Sequence, residues 1–501
     1  MQKNYILSID VGTSSCKVLL FDQDGTVIQT AYKEHSTFFR DNGGVEQNPE
    51  HWWQNIVWAA KSILEKSNIN KHDIVAIGVD SQSSSMIPIT SSGEILYPAM
   101  IWTDRRAKAE KQWIDHNIGQ SVINSINGNH NDESNVALKL MWLRDHEHEL
   151  YKKTDCVLNA TGYIVYKLTG RFSSNISEGG LTQIFDIKNS CWSDELIQAC
   201  KLDKRKLPDL YPCHEIVGNI SRETASLLGL SENTKVTAGA MDVVSCALGC
   251  GVIAPGDSFI TGGTVTAMGV CSDQPISSDV VHVYNHIVPG TWCNVAGVDY
   301  GGGNFRWFRD QFMQEKTDNN VYDHMNFLAE KIAVGADKLL FLPTLVGQRC
   351  PQWDTNMKGM YFGITPNHTK GHFIRALMEG NAFAVKEILD LQAAEGVTSK
   401  EITIAGGISK SKLWMQIFAE VLNVPLYLAF EEEATAVGNM MTAAYGVGLI
   451  SSFHEFKAKQ KKERVECNAK NIVLYQKIYQ IYSQLYPAVK EQFKELAELD
   501  L

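Results

Sequence analysis

Two short turns, about 250 residues apart, constrain the fold of this chain more than any other feature. Asp10-Val-Gly12-Thr13-Ser14-Ser-Cys-Lys17 follows the apolar run Tyr5-Ile-Leu-Ser-Ile9, and Thr261-Gly-Gly263-Thr264 follows Ser258-Phe-Ile260. Each run reads as a buried strand, and each turn leads into a second apolar stretch, Val18-Leu-Leu-Phe21 or Val265-Thr-Ala-Met-Gly-Val270. A glycine turn between strands exposes backbone N–H groups, which bind phosphate oxygens without side-chain bulk. The recurrence implies two related lobes, each presenting a phosphate-binding hairpin. Nucleotide-dependent phosphoryl transfer is the chemistry that such a pair suits.

A chain of 501 residues is too long for one ordinary core, which agrees with two domains. Gly249, Gly251, Pro255 and Gly256 cluster where the halves meet, so the expected domains are 1–248 and 249–501. The net charge of −11 argues against nucleic acid as an obligate partner, though not against a nucleotide held by backbone and metal. No apolar run approaches the ~18 residues that span a bilayer, and the first strand begins by residue 5, leaving no room for a signal peptide. The eleven scattered cysteines fit no disulfide framework and read as reduced thiols in a cytoplasmic protein.

Elsewhere α and β patterns alternate. Asn48-Pro49 starts a helix carrying Trp52, Trp53, Ile56, Val57, Ala60 and Ile63 on one face. The run 74–79 is a buried strand, with Gln82-Ser83-Ser84 just past its carboxyl end, where open α/β sheets bind ligands. The segment 237–242 reads as a strand entering a helix over 243–248. In the second half, 339–343 and 402–405 read as strands, 371–394 as a long helix, and 471–498 as one tail helix.

Several residues carry possible chemistry. Gly12 lets backbone approach a phosphate, Thr13 and Ser14 supply donors, and Asp10 sits where a carboxylate could hold Mg²⁺. A bare hairpin turn would use the same residues. Gly406-Gly407 suits a flat adenosine against backbone, or else a plain strand–helix connection capped by Ser409. A hydroxyl attacking a γ-phosphate needs a carboxylate to orient it and accept its proton. Asp242, at a strand end, fits that role and also that of a helix cap. Cys246 and Cys250, His146-Glu147-His148, the basic run Lys457, Lys459, Lys461, Lys462 and Arg464, and the stripe Tyr475, Tyr479, Tyr482 and Tyr486 read as core or solvated helix faces.

One pattern is more specific. Gly359-Met-Tyr-Phe-Gly363-Ile364, seven residues, then His372-Phe-Ile-Arg-Ala376-Leu377-Met378-Glu379 resembles the C-terminal signature of the FGGY carbohydrate kinase family. Lys139-Leu-Met-Trp142-Leu143 resembles its N-terminal signature, with Val136 where the family prefers Pro, Ser or Thr. Trp102-Thr-Asp104-Arg105-Arg106 and Glu46-Gln-Asn48-Pro49-Glu50-His-Trp52-Trp53 are similar to further family segments. The Gly301-Gly302-Gly303-Asn304 run and the tail tyrosines resemble xylulokinase-type members.

The resemblance implies an α/β fold of two ribonuclease-H-like lobes of the hexokinase–actin superfamily, with an interlobe active-site cleft. It implies ATP and Mg²⁺, with Asp242 as catalytic base and Asp10 at the metal. Asp10, Gly12, Thr13, Ser14, Lys17, Gly263, Thr264 and Gly303 would lie at the phosphates, and Gly406, Gly407 and Ser411 near the adenosine. Gln82, Ser83, Ser84, Asp104 and Arg106 would join Asp242 on the sugar side. Xylulokinases have Gln-Met-His where this chain has Gln82-Ser83-Ser84, and Gln348 stands where many relatives have Glu. The pocket is therefore expected to be roomier and more polar. The implied reaction is phosphorylation of a sugar hydroxyl, on a ketopentose such as xylulose or on another sugar, sugar acid or polyol such as gluconate or glycerol. A catalytically silent sugar sensor is the rival reading. No nucleic-acid or membrane partner is expected, and a homodimer is compatible.

Overall fold

The computed structural model describes residues 3–276, 278, 280–313, 321–429, 433–459 and 463–499. The chain forms two compact units. The first comprises Met1–Ile253, Asp273–Cys293 and Glu433–Gln460, and the second Ala254–Ser272, Asn294–Glu432 and Lys461–Leu501. Among the described residues no helix is long and apolar enough to cross a membrane.

The first unit is built on the sheet order Val27–Glu34, Ser15–Asp22, Tyr5–Val11, Ile74–Ser81, Lys235–Thr237, Ile216–Asn219. The first three strands form an antiparallel meander, and Ile74–Ser81 runs parallel to Tyr5–Val11. Ala240–Met241 also pairs with Ile74–Ser81, so the expected single strand over 237–242 is two pieces, split at Gly239. The helix Pro49–Lys66 is capped by the Asn48 side chain, as the Asn-Pro pair predicts. It buries Trp52, Ile56, Ala60 and Ile63 against the sheet, in a core with Leu7, Ile9, Val18, Leu20, Ile77 and Val79. A second core gathers Leu138, Leu140, Leu143, Ile114 and Ile184.

The second unit repeats the plan. Its sheet runs Trp292–Val298, Thr266–Ser272, Asp257–Gly262, Glu401–Gly406, Leu426–Leu428, Glu463–Arg464. Again the hairpin is antiparallel and the next strand, Glu401–Gly406, is parallel to the hairpin's first strand. The shared order is the structural counterpart of the duplicated glycine turns, and this is the two-lobed α/β fold that the sequence implies.

Three local expectations need correction. The tail is two helices, Ala469–Tyr482 and Leu485–Ala497. Pro487 is the reason: it has no N–H to give a carbonyl four residues back, so a continuous helix would lose that bond and clash there. Ser411, not Ser409, caps the helix Lys412–Leu422 by accepting from Trp414 N–H, while the Ser409 hydroxyl donates back to the Gly406 carbonyl. His146 and His148 do not share one helix face, because one helix ends at His146 and the next begins at His148. The His146 ring stacks on Trp142 with centroids 4.9 Å apart. In the basic run, Lys461 and Lys462 and the Lys459 side chain lie outside the described residues.

Candidate active site

Asp10, Asp80 and Asp242 come together because parallel pairing puts equivalent strand ends side by side. Asp10 is the register partner of Asp80, and Asp80 is the register partner of Ala240, two residues before Asp242. Asp242 is the first residue of the helix Asp242–Gly249 rather than its cap, and its Oδ1 accepts from Val243 N–H at 2.6 Å. The sequence reading missed Asp80. The available signal was an aspartate directly following an unbroken apolar strand, where it cannot reach water.

Asp80 is fully buried, and neither of its carboxyl oxygens has a hydrogen-bond partner among the described residues. Burial raises its pKa well above the ordinary carboxylate range, and the charges of Asp10 and Asp242 raise it further. Asp10 keeps an opening to solvent, yet loss of surrounding water pushes it up to about 6; the neighbouring Asp80 carboxyl and Lys17 restrain the rise. Asp242 is pushed up to about 7, first by burial and then by Asp10. Burial and mutual repulsion thus hold all three carboxyl groups above the ordinary carboxylate range.

Beside them the first glycine turn is held tightly. Gly12 N–H donates to the Ser15 carbonyl at 3.0 Å. The Thr13 carbonyl accepts from Gln47 Nε2 at 2.7 Å, and Thr13 Oγ1 accepts from Trp102 Nε1 at 3.0 Å. With the indole donating, the Thr13 hydroxyl hydrogen is available to a ligand. Ser14 is exposed, and Lys17 pairs with Glu433 at 2.6 Å.

On the expected sugar side, Gln82 donates to Gln47 Oε1 at 2.9 Å, with its own Oε1 unpartnered among the described residues. Ser83 is half-buried. Ser84 is buried at φ +55°, its hydroxyl bonded to the Ser134 carbonyl and its own carbonyl accepting from Lys139 Nζ. Asp104 and Arg106 are buried against each other. The guanidinium holds Asp104 at 2.9 Å and Glu46 at 2.7 Å, and lies over the Trp142 ring. Their charges meet inside the protein.

In the second unit, glycines make a surface without side chains. A Cβ on Gly302 would meet the Gly263 carbonyl at 1.9 Å, so the start of the helix Gly301–Phe312 rests directly on the turn. Gly303 N–H donates to the Thr264 carbonyl at 3.0 Å. Gly406 has φ +83°, which favours glycine, and its absent Cβ would lie 2.7 Å from the Gly262 carbonyl. Gly263 and Thr264 are exposed. Ser411 is buried, its hydroxyl capping the helix and donating to Asn326 at 2.7 Å. The Ser411 side chain thus faces inward.

Comparison with known proteins assigns the family. Residues 5–249 match the N-terminal domain of the FGGY family of carbohydrate kinases, and residues 259–447 match its C-terminal domain. The chain is 30% identical to a xylulose kinase of Lactococcus lactis subsp. lactis, over 99% of each chain. The structure of a xylulose kinase from Lactobacillus acidophilus is similar with a TM-score of 0.90 and 25% identity, over 98% of this chain and all of that one. A gluconate kinase from the same organism gives 0.90 and 26%, over 99% of this chain and all of that one. The chain belongs to the FGGY family of carbohydrate kinases and is an ATP-dependent carbohydrate kinase.

Proposed function

We propose that the enzyme transfers the γ-phosphate of ATP to a hydroxyl of a ketopentose such as xylulose, with Asp242 as general base. The observation that carries this reading is the placement of Asp242: a carboxylate with its pKa pushed up to about 7, at the end of the central strands, beside the Thr13 turn. A base works best when its pKa lies near the working pH, and a buried carboxylate reaches that range without losing its geometry. Thr13, with Ser14, Lys17 and the Gly12 backbone, would meet phosphate oxygens. Gly263, Thr264, Gly303, Gly406 and Gly407 would meet a nucleotide. The relatives named xylulose kinase support the ketopentose. A sugar acid is the second reading, supported by the equally similar gluconate kinase and by the small, polar Ser83 and Ser84.

Magnesium fits the Asp10–Asp80 pair. Among the described residues no group of three or more His, Cys, Asp or Glu forms a ready metal site. One or two carboxylates with phosphates and water complete the usual Mg²⁺ shell, and the unpartnered Asp80 oxygens suit such an ion. When bound, the ion would supply charge neutralisation at the transferring phosphate. Asp80→Asn should weaken Mn²⁺ binding about tenfold, read by the paramagnetic signal of free Mn²⁺ without turnover. An unchanged affinity would remove Asp80 from the metal.

The function itself is tested by ADP release with ATP and Mg²⁺ across ketopentoses, aldoses, sugar acids and polyols. Release dependent on xylulose supports the first reading, and release with gluconate alone supports the second. Release that no acceptor changes would overturn both.

A further inference from the structure

We infer that Glu178 binds the acceptor sugar, holding a hydroxyl next to the one that Asp242 serves. The inference deepens the kinase reading above and rests on it.

Glu178 lies in the short turn of helix Ile176–Thr182, in a segment to which the sequence reading assigned nothing. Two hydrogen bonds hold this turn. The Asn175 side chain caps it by accepting from Glu178 N–H at 3.3 Å. The Ser177 hydroxyl accepts from Met241 N–H at 2.9 Å, which ties the turn to the strand that delivers Asp242. The Ser84 backbone, in the Gln82-Ser83-Ser84 loop, is near enough to favour the charged form of the Glu178 carboxyl against its burial. One side chain therefore links the proposed base to the proposed sugar loop.

The carboxyl is also incomplete. Glu178 is 2% exposed, and its Oε1 has no hydrogen-bond partner among the described residues. Asp242 is the charge that most disfavours its ionisation after burial itself. A buried acceptor without a partner is costly, and a structural glutamate would be paired or replaced by an apolar side chain at little cost. A ligand that brings its own hydroxyl to Oε1 resolves the deficit. The chemistry points to a polyol or sugar with vicinal hydroxyl groups, one aligned on Asp242 and its neighbour on Glu178. This arrangement also gives discrimination, because a site built to bond a hydroxyl strongly rejects an analogue that lacks it.

The test compares the sugar found by the ADP-release panel with its monodeoxy analogues, in the wild-type enzyme and in Glu178→Ala, Glu178→Asp and Glu178→Gln. In the wild type, kcat/KM should fall about a thousandfold for loss of one particular hydroxyl. In Glu178→Ala that penalty should shrink below about tenfold, because the partner of the missing hydroxyl is already gone. Glu178→Gln, which keeps length and an acceptor, should restore most of the penalty, and Glu178→Asp, one methylene short, should not. Unchanged nucleotide binding by calorimetry would show that the variants fold. If Glu178→Ala does not fold, the Gln and Asp variants alone decide the question. A deoxy penalty that persists undiminished in Glu178→Ala or Glu178→Asp overturns the assignment while leaving the kinase intact. Absence of any acceptor-dependent ADP release from the wild type overturns the kinase reading first and takes the Glu178 assignment with it.

Discussion

Asp242→Asn should lower kcat by about a thousandfold to ten-thousandfold, the contribution expected of a positioned general base, with nucleotide affinity changed less than about threefold. The amide keeps the shape of the side chain and still accepts from Val243 N–H, so folding should survive. It cannot take the proton of the attacking hydroxyl. Near-wild-type turnover would remove Asp242 from the mechanism. The pH dependence gives a second reading. Burial, and then the charge of Asp10, hold this group at about 7, so wild-type kcat/KM should climb as pH rises through about 7 and then level. Stability should move the other way. The folded state binds this proton up to about pH 7, whereas an unfolded aspartate loses it near ~4. The stabilisation is therefore complete below the unfolded value and is lost as pH rises through the folded one. Asp242→Asn should abolish that part of the loss, leaving the variant more stable than wild type at pH 8. Urea midpoints at pH 5 and pH 8 measure the difference.

What could be read from the residues, and what could not, divides by range. The hairpins around Gly12 and Gly263 were legible because a strand, a glycine turn and a strand are neighbours in sequence. The helix at Asn48-Pro49 was legible for the same reason, since its cap and first turn announce it. The importance of Asp80 depends instead on what covers it. Its strand lies between Tyr5–Val11 on one side and Lys235–Thr237 and Ala240–Met241 on the other, segments some 70 and 160 residues away in the chain. Glu178 escaped in the same way, because the groups that set its environment, Asp242 and the Ser84 backbone, are distant in sequence. Asp104 and Arg106 were noticed, but their ion pair is completed by Glu46, 60 residues from Arg106. Sequence spacing finds loops and caps; it cannot say which charge will be enclosed by which strand.

That enclosure makes Arg106→Met the substitution with the largest expected effect on stability. Arg106 is almost wholly buried, as are Asp104 and Glu46. Its guanidinium donates to Asp104 Oδ2 at 2.9 Å and 3.0 Å, to Glu46 Oε1 at 2.7 Å and to the Tyr97 hydroxyl at 3.0 Å. The Trp142 ring lies 4.8 Å from its central carbon. Methionine fills much of the volume but leaves two carboxylates facing each other. Glu46 retains Arg40 and Asp104 retains Val45 N–H, neither of which replaces the lost cation. Removing one partner of a buried ion pair costs about 3–5 kcal/mol, which corresponds to a fall in Tm of roughly 6–20 °C for a unit of this size. Arg106→Lys should recover only part of this, because an ammonium cannot reproduce the fork that spans both carboxylates. The triple variant Arg106→Met, Asp104→Asn, Glu46→Gln should recover more, since no uncompensated charge is left behind. A direct sugar contact predicts a different pattern: KM for the acceptor would rise more than tenfold in Arg106→Met while Tm stayed within about 2 °C, and the triple variant would bind no better. Differential scanning calorimetry beside acceptor kinetics separates the two. The closed hydrogen-bonding of the guanidinium favours loss of stability, with the acceptor site weakened because the Trp102–Arg106 segment that donates to Thr13 has lost its anchor.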